Sequence, residues 1–175
     1  EFRMMNNRVG LFNSSMQDYK RYGIPKAQLI LTDIPYSLGT KAYGSNPTWY
    51  VDGDNKNGES DKAGETFFTT DENFKPAEFM HFAAQMLKPE PKESGKAPCM
   101  IVFCEFEQQF YLIELAKRYG LNHYINLVFR KNYSPQVLKA NMRVVGNCEY
   151  GLILYRDKLP KFNNHGSMVF NCMDY

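Results

Sequence analysis

The sequence predicts an α/β domain with a mostly parallel sheet and an antiparallel edge pair, and three observations carry that reading. Two near-continuous apolar runs, Gln28 to Thr32 and Cys99 to Cys104, have the character of strands buried on both faces. Segments with helical spacing follow or separate them, so strand and helix alternate along the chain. Two further strand-like runs, Tyr124 to Phe129 and Glu149 to Tyr155, are joined by a connection of about twenty residues and supply the antiparallel pair.

Taken in order, Arg8 to Phe12 reads as a short strand. Asn13, Ser14 and Ser15 suit a turn and a helix cap before a short helix from Met16 to Tyr22. The Gly23-Ile24-Pro25 break leads into the first buried strand, which ends at Asp33. From residue 37 to 75 the chain is rich in Gly, Asn, Asp, Lys and Thr, which predicts a long flexible loop within one domain of residues 1–175. Pro76 stands where a helix tolerates it, in the first turn, and Phe79, Phe82, Ala83, Met86 and Leu87 then share one face. Pro89 stops that helix. After the Cys99 strand a second helix runs from about Gln108 to Arg118 and ends at Gly120. The tail from Lys158 to Tyr175 shows no terminal element, and the domain is expected to be incomplete, with its other half elsewhere in the same protein.

Composition sets outer bounds. At 175 residues, 43% hydrophobic and 15% aromatic, the chain is long and apolar enough for one core. A net charge of +2 gives no bulk signal for a polyanion, so any nucleic-acid contact must come from local clusters. The four cysteines form no CxxC pair, and the three histidines have no Cys or carboxylate at ligand spacing, so no metal site is expected. His81 lies on the apolar helix and reads as a structural residue. No apolar stretch approaches the roughly 18–20 residues needed to cross a bilayer, which leads to the expectation of a cytoplasmic protein.

The chemistry concentrates at Asp33-Ile34-Pro35-Tyr36. In open α/β sheets ligands bind beyond the carboxyl ends of strands, which is where this tetrapeptide falls. An exocyclic amino group on a nucleobase is a poor nucleophile because its lone pair is delocalised into the ring. Two acceptors aimed at its hydrogens localise that pair. The Asp33 carboxylate and the Pro35 carbonyl supply two acceptors, and Tyr36 supplies a ring for an extruded base to stack on. Alone, the tetrapeptide is equally well a strand-ending turn. The catalytic reading requires that Tyr36 not point into the core and that no neighbouring amide claim the Pro35 oxygen.

The segment from Leu29 to Gly39, LILTDIPYSLG, resembles the Asp-Pro-Pro-Tyr segment of S-adenosylmethionine-dependent DNA amino-methyltransferases, with Ile34 in place of the first proline. Pro76 to Phe106, Tyr124 to Lys131 and Asn147 to Arg156 resemble the family's next segments in order, so the resemblance covers roughly residues 8 to 156. It implies a Rossmann-like methyltransferase fold in the β-type motif order, found in bacterial or phage restriction-modification systems. The implied substrate is double-stranded DNA, and a homodimer is a further implied assembly. An aspartate at the head of the motif resembles the N6-adenine enzymes more than the N4-cytosine enzymes, although the β arrangement contains both. The implied catalytic residues are Asp33, Ile34, Pro35 and Tyr36, and the implied cofactor-binding residues are Asn13, Ser15 and Asp33.

Two departures stand against this. No two glycines are separated by a single residue, so the glycine loop that cradles the methionine part of the cofactor has no candidate. Ser14 and Ser15 occupy the place of a Gly-Asp pair that meets the cofactor's adenine ring. These departures leave a degenerate, non-catalytic DNA- or protein-binding module as the competing reading, and low or absent activity is expected of the isolated chain. DNA contacts are expected from Lys41, Tyr43 and Trp49 in the loop, which mix cations for phosphate with rings for bases. A second group, Arg130, Lys131, Asn132, Tyr133, Lys139 and Arg143, lies between the last two strands.

Overall fold

The computed structural model describes residues 2–5, 9–36, 74–132, 136–139 and 144–174, with side chains described in all but 2–5 and 136–139. The long loop of 37–75 therefore lies outside the described residues except for Phe74 and Lys75. Those two already belong to the helix start: the Phe74 ring meets Phe79 at 6.1 Å, and Lys75 is the N-cap.

The central sheet has five strands: β3 (Leu29–Asp33), β4 (Cys99–Cys104), β5 (His123–Arg130), β8 (Cys148–Tyr155) and β9 (Cys172–Asp174). They are ordered β3-β4-β8-β5-β9. Pairings of β3 with β4 and of β5 with β9 are parallel, and both neighbours of β8 are antiparallel to it. Four strands thus point one way, as the sequence predicts. The antiparallel strand β8 lies inside the sheet, between β4 and β5, and not at its edge. Its Gly151-Leu152-Ile153-Leu154 run is buried accordingly.

Strand β3 differs from its expected central position. Among the described residues it pairs only with β4, and Leu29 and Leu31 are 49% and 65% exposed. An apolar run shows that a strand resists water but not how many neighbours it has. The strand expected at Arg8 to Phe12, β2 (Val9–Phe12), pairs with β1 (Phe2–Met5) in a separate antiparallel two-stranded sheet. The helix after it, Met16–Tyr22, is a 3-10 helix whose N-cap Ser15 makes no side-chain capping bond. A third small sheet joins β6 (Gln136–Lys139) to β7 (Val144–Gly146) within the long connection.

Two helices cover the sheet. Helix α1 (Pro76–Met86) buries Phe79, Met80, Ala83, Ala84 and Met86. Helix α2 (Phe106–Arg118) buries Leu112, Leu115 and Ala116. They meet Met100, Val102, Leu152 and Leu154 of β4 and β8 in one core. Ala27 pins the entry of β3 to the end of α1 by donating to Met86 O at 2.7 Å and accepting from Lys88 N at 2.9 Å. The end of α2 is closed by Leu121 N to Ala116 O and Gly120 N to Lys117 O, both 3.0 Å, with Gly120 at φ 75°. A Cβ at Gly120 would meet open space, so its cost is purely conformational. Gly120→Ala is expected to lower unfolding stability by about 1–2 kcal/mol with no change of fold, measured by urea titration.

Candidate active site

The register decides which side chains can meet. Asp33 lies beside Phe103, Cys104 beside Tyr150, and Arg130 beside Cys148. The carboxyl ends of β3, β4 and β5 and the start of β8 therefore form one rim. The tetrapeptide singled out in the sequence stands on it, as a ligand site in an open α/β sheet should.

Asp33 is exposed at the end of β3. Ile34 continues the ladder one residue further, its N–H donating to Phe103 O at 3.1 Å, while its side chain is 3% exposed and joins the core. A proline here would lack that donor. Pro35 and Tyr36 are half-buried. Burial is the main reason that Tyr36 ionises well above the ordinary tyrosine range. Hydrogen bonding toward Asp33 and the charges of Asp33 and Glu149 act in the same direction.

Helix α2 starts on the same rim. Glu105, its N-cap, and Gln108 form a reciprocal capping box: the Glu105 side chain accepts from Gln108 N, and Glu105 N donates to Gln108 Oε1 at 2.9 Å. The other end of the same amide, Gln108 Nε2, donates to Pro35 O at 2.9 Å. The sequence-based requirement asks that Tyr36 not point into the core, and its side chain is half-buried at the rim. The requirement on Pro35 is not met as stated, because an amide does reach its oxygen. A carbonyl oxygen has two lone pairs and a carboxylate about four acceptor positions, so neither acceptor is used up.

The rim is acidic and aromatic. Burial pushes the Cys104 thiol up to about 12, with the charges of Asp33 and Glu105 adding to it. Phe106 is 51% exposed and packs against Phe110 at 5.5 Å and Tyr150 at 5.4 Å, and Phe103 meets Phe129 at 5.3 Å. Gln108, Glu105, Phe106, Glu149 and Tyr150 are not singled out by sequence reasoning. Only the capping box has a readable signal, Glu105-x-x-Gln108 directly after an apolar strand.

The remaining expected residues are spread more widely. Asn13 and Ser15 are exposed in the turn after β2, outside the five-stranded sheet, and the Ser15 hydroxyl donates to the Gln17 side chain. Arg130 is bound by both carboxylate oxygens of Asp174, at 2.7 and 2.9 Å, which ties β9 to β5. Lys131 is ion-paired with Glu149. Asn132 is exposed next to it. Lys139 lies in β6, where only the backbone is described. Lys41, Tyr43, Trp49, Tyr133 and Arg143 lie outside the described residues. His81 bonds to Tyr119 Oη at 3.2 Å and Gln85 Nε2 at 3.0 Å, in keeping with a structural role.

No family model matches the chain, and no curated protein matches it. Solved structures do. The crystal structure of M1.HpyAVI matches with a TM-score of 0.53 at 16% identity, over 91% of this chain and 59% of that one. The M1.HpyAVI–SAM complex matches with a TM-score of 0.51 at 17% identity, over 89% of this chain and 56% of that one. The chain has their fold. The Rossmann-like α/β fold expected from the sequence is therefore the fold observed, and the chain spans less than two thirds of the length of these proteins.

Two outcomes are expected from this geometry. Ile34→Pro removes both the bond to Phe103 O and a buried side chain, and should cost about 2–4 kcal/mol in a denaturant titration, against about 0.5–1.5 kcal/mol for Ile34→Val. Because the folded-state ionisation of Tyr36 is raised, its contribution to stability is present below about pH 10 and is lost as the pH rises further. In an ultraviolet titration of the native protein, Tyr36→Phe should remove no ionising hydroxyl below about pH 11.

Proposed function

We propose that this chain forms the base-binding face of an S-adenosylmethionine-dependent DNA methyltransferase acting on the N6 amino group of adenine. The observation that carries the reading is the pair of oxygens at one strand end, the Asp33 carboxylate and the Pro35 carbonyl, on a half-buried turn braced from α2. The likeness of fold to M1.HpyAVI, one of whose structures is a SAM complex, supports the choice of methyl donor.

In this reading the two oxygens accept the amino hydrogens of an extruded adenine and turn the nitrogen lone pair outward. Tyr36, and the exposed Phe106 nearby, offer ring faces to the base. Transfer leaves one surplus proton on the nitrogen, which the exposed Asp33 carboxylate is placed to take. The acidic rim of Asp33, Glu105 and Glu149 suits a cationic donor. S-adenosylmethionine supplies the methyl group, and Asn13, Ser15 and Asp33 are the residues of this chain assigned to it. This chain offers no glycine cradle for the methionine part. Only part of the donor site is therefore assigned here.

Double-stranded DNA is the substrate in this proposal, with the exposed Asn132 and the β6 residue Lys139 assigned to its contact. Arg130 and Lys131 would exchange their carboxylate partners for phosphate. Lys41, Tyr43, Trp49, Tyr133 and Arg143, outside the described residues, are assigned to the same DNA contact from the sequence.

A binding-only module is the second reading, favoured by one observation: the Pro35 acceptor already carries a donor, from Gln108. Calorimetry with S-adenosylmethionine separates the two, since a binding-only module gives no heat. The decisive measurement is labelled-methyl transfer to double-stranded DNA by this chain, by the full-length protein and by its Asp33→Ala version, with the methylated nucleoside identified by chromatography. The expected product is N6-methyladenine, formed by the full-length protein, with little or none from the isolated chain and a loss of about 10²–10⁴-fold for Asp33→Ala. Equal incorporation with and without Asp33 would remove it from the mechanism, and N4-methylcytosine would reassign the base.

A further inference from the structure

We infer that Gln108 is a positioning residue: its side-chain amide holds the Pro35 carbonyl in the direction from which its second lone pair meets the substrate amino group. The inference rests on the methyl-transfer reading and assigns a role within that same site.

The argument starts from what a helix cap requires. At the third helical position, glutamate and glutamine close a capping box equally well, because only an acceptor for the N-cap N–H is needed. Gln108 meets that need with Oε1 alone, accepting from Glu105 N at 2.9 Å. The amide nitrogen is surplus to the cap. It donates at 2.9 Å to the carbonyl of a residue 73 positions earlier in the chain, on the turn after β3. One planar group therefore joins the start of α2 to the oxygen on which base recognition depends.

The geometry of the turn needs such a brace. Ile34 lacks the ring that would stiffen this step of the backbone, and its own N–H is committed to Phe103 O. The peptide plane between Pro35 and Tyr36 can still turn about ψ of Pro35 and φ of Tyr36, and its oxygen is the group that must be aimed. Gln108 fixes it by occupying one lone pair and leaving the other. Helix α2 is itself rigid, closed at its far end by the Gly120 turn and buried through Leu112 and Leu115, so the brace has a fixed origin.

The test uses Gln108→Glu and Gln108→Met in the full-length protein. The Gln108→Glu side chain keeps an acceptor for Glu105 N but presents oxygen instead of N–H to Pro35 O. The Gln108→Met side chain removes both bonds at similar size. For Gln108→Glu the expected result is near wild-type unfolding, KM for DNA within about twofold, and kcat down by about 100-fold, the loss associated with misplacing a reacting group by about 1 Å. A purely structural cap predicts wild-type kcat for Gln108→Glu, and that result overturns the inference. Should Gln108→Glu not fold, Gln108→Met decides on the same split of kcat against KM. Independently of any variant, a scalar coupling across the hydrogen bond should link Gln108 Nε2 to the Pro35 carbonyl carbon in the isotope-labelled wild-type chain, and its absence also overturns the inference. If the wild-type protein transfers no methyl group at all, the proposed function fails and the role of Gln108 falls with it. Wild-type activity with an equally active Gln108→Glu removes the role alone.

Discussion

The parallel pairing of β3 with β4, carried one residue past Asp33 by the Ile34 N–H on Phe103 O, is the constraint on which the site depends. A parallel ladder fixes both strands' direction and register, so their carboxyl ends fall at the same level of the sheet. Because helix α2 follows β4 after a single residue, its first turn is delivered directly beside Asp33 and Pro35. A shift of one residue in this register would send Asp33 to the opposite face and leave Gln108 opposite the wrong carbonyl. The core beneath, built from Met80, Met100, Val102, Leu152 and Leu154, makes such a shift costly.

The electrostatic character of the rim follows from the same placement. Asp33, Glu105 and Glu149 converge where burial alone already disfavours ionisation of Tyr36 and Cys104, and the carboxylates add to the effect. The cations nearest this edge, Arg130 and Lys131, are matched by Asp174 and Glu149. The described part of the rim is consequently suited to groups that bring hydrogens or positive charge. Attraction for a phosphate backbone at this edge requires Arg130 and Lys131 to leave those carboxylates, as the proposed DNA face supposes.

Much of this arrangement is legible in the sequence where one physical signal dominates. Strand β4 matches its apolar run end for end, and α1 starts at Pro76, because burial and helix-start chemistry point the same way there. The position of Asp33 at a strand end is likewise readable. Neighbour relations are not. The Leu29 run looks buried on both faces, yet β3 has one partner among the described residues. The short strands β1, β6, β7 and β9 are too brief for a periodic signal and exist through pairing alone. Spacing of apolar residues puts the start of α2 near Gln108, although Glu105 three residues before it marks the cap. The contact of Gln108 with Pro35 spans 73 positions and has no local signature.

Isoleucine stands where the resembled motif carries its first proline, and the fold gives that residue a physical reading. A proline ring would fix one backbone angle at position 34 and withdraw a donor. Isoleucine leaves the angle free and keeps the donor. What the turn loses in intrinsic stiffness is offset by three tertiary restraints: the Ile34 bond to β4, the burial of its side chain, and the Gln108 amide on Pro35. Each of the three draws on the β4–α2 unit or on the core beneath it. The rigidity of the turn at Pro35 is therefore not a property of the tetrapeptide alone. It belongs to the packed sheet and helix, so stability of the domain and readiness of the site are coupled here more tightly than a proline-stiffened turn would require.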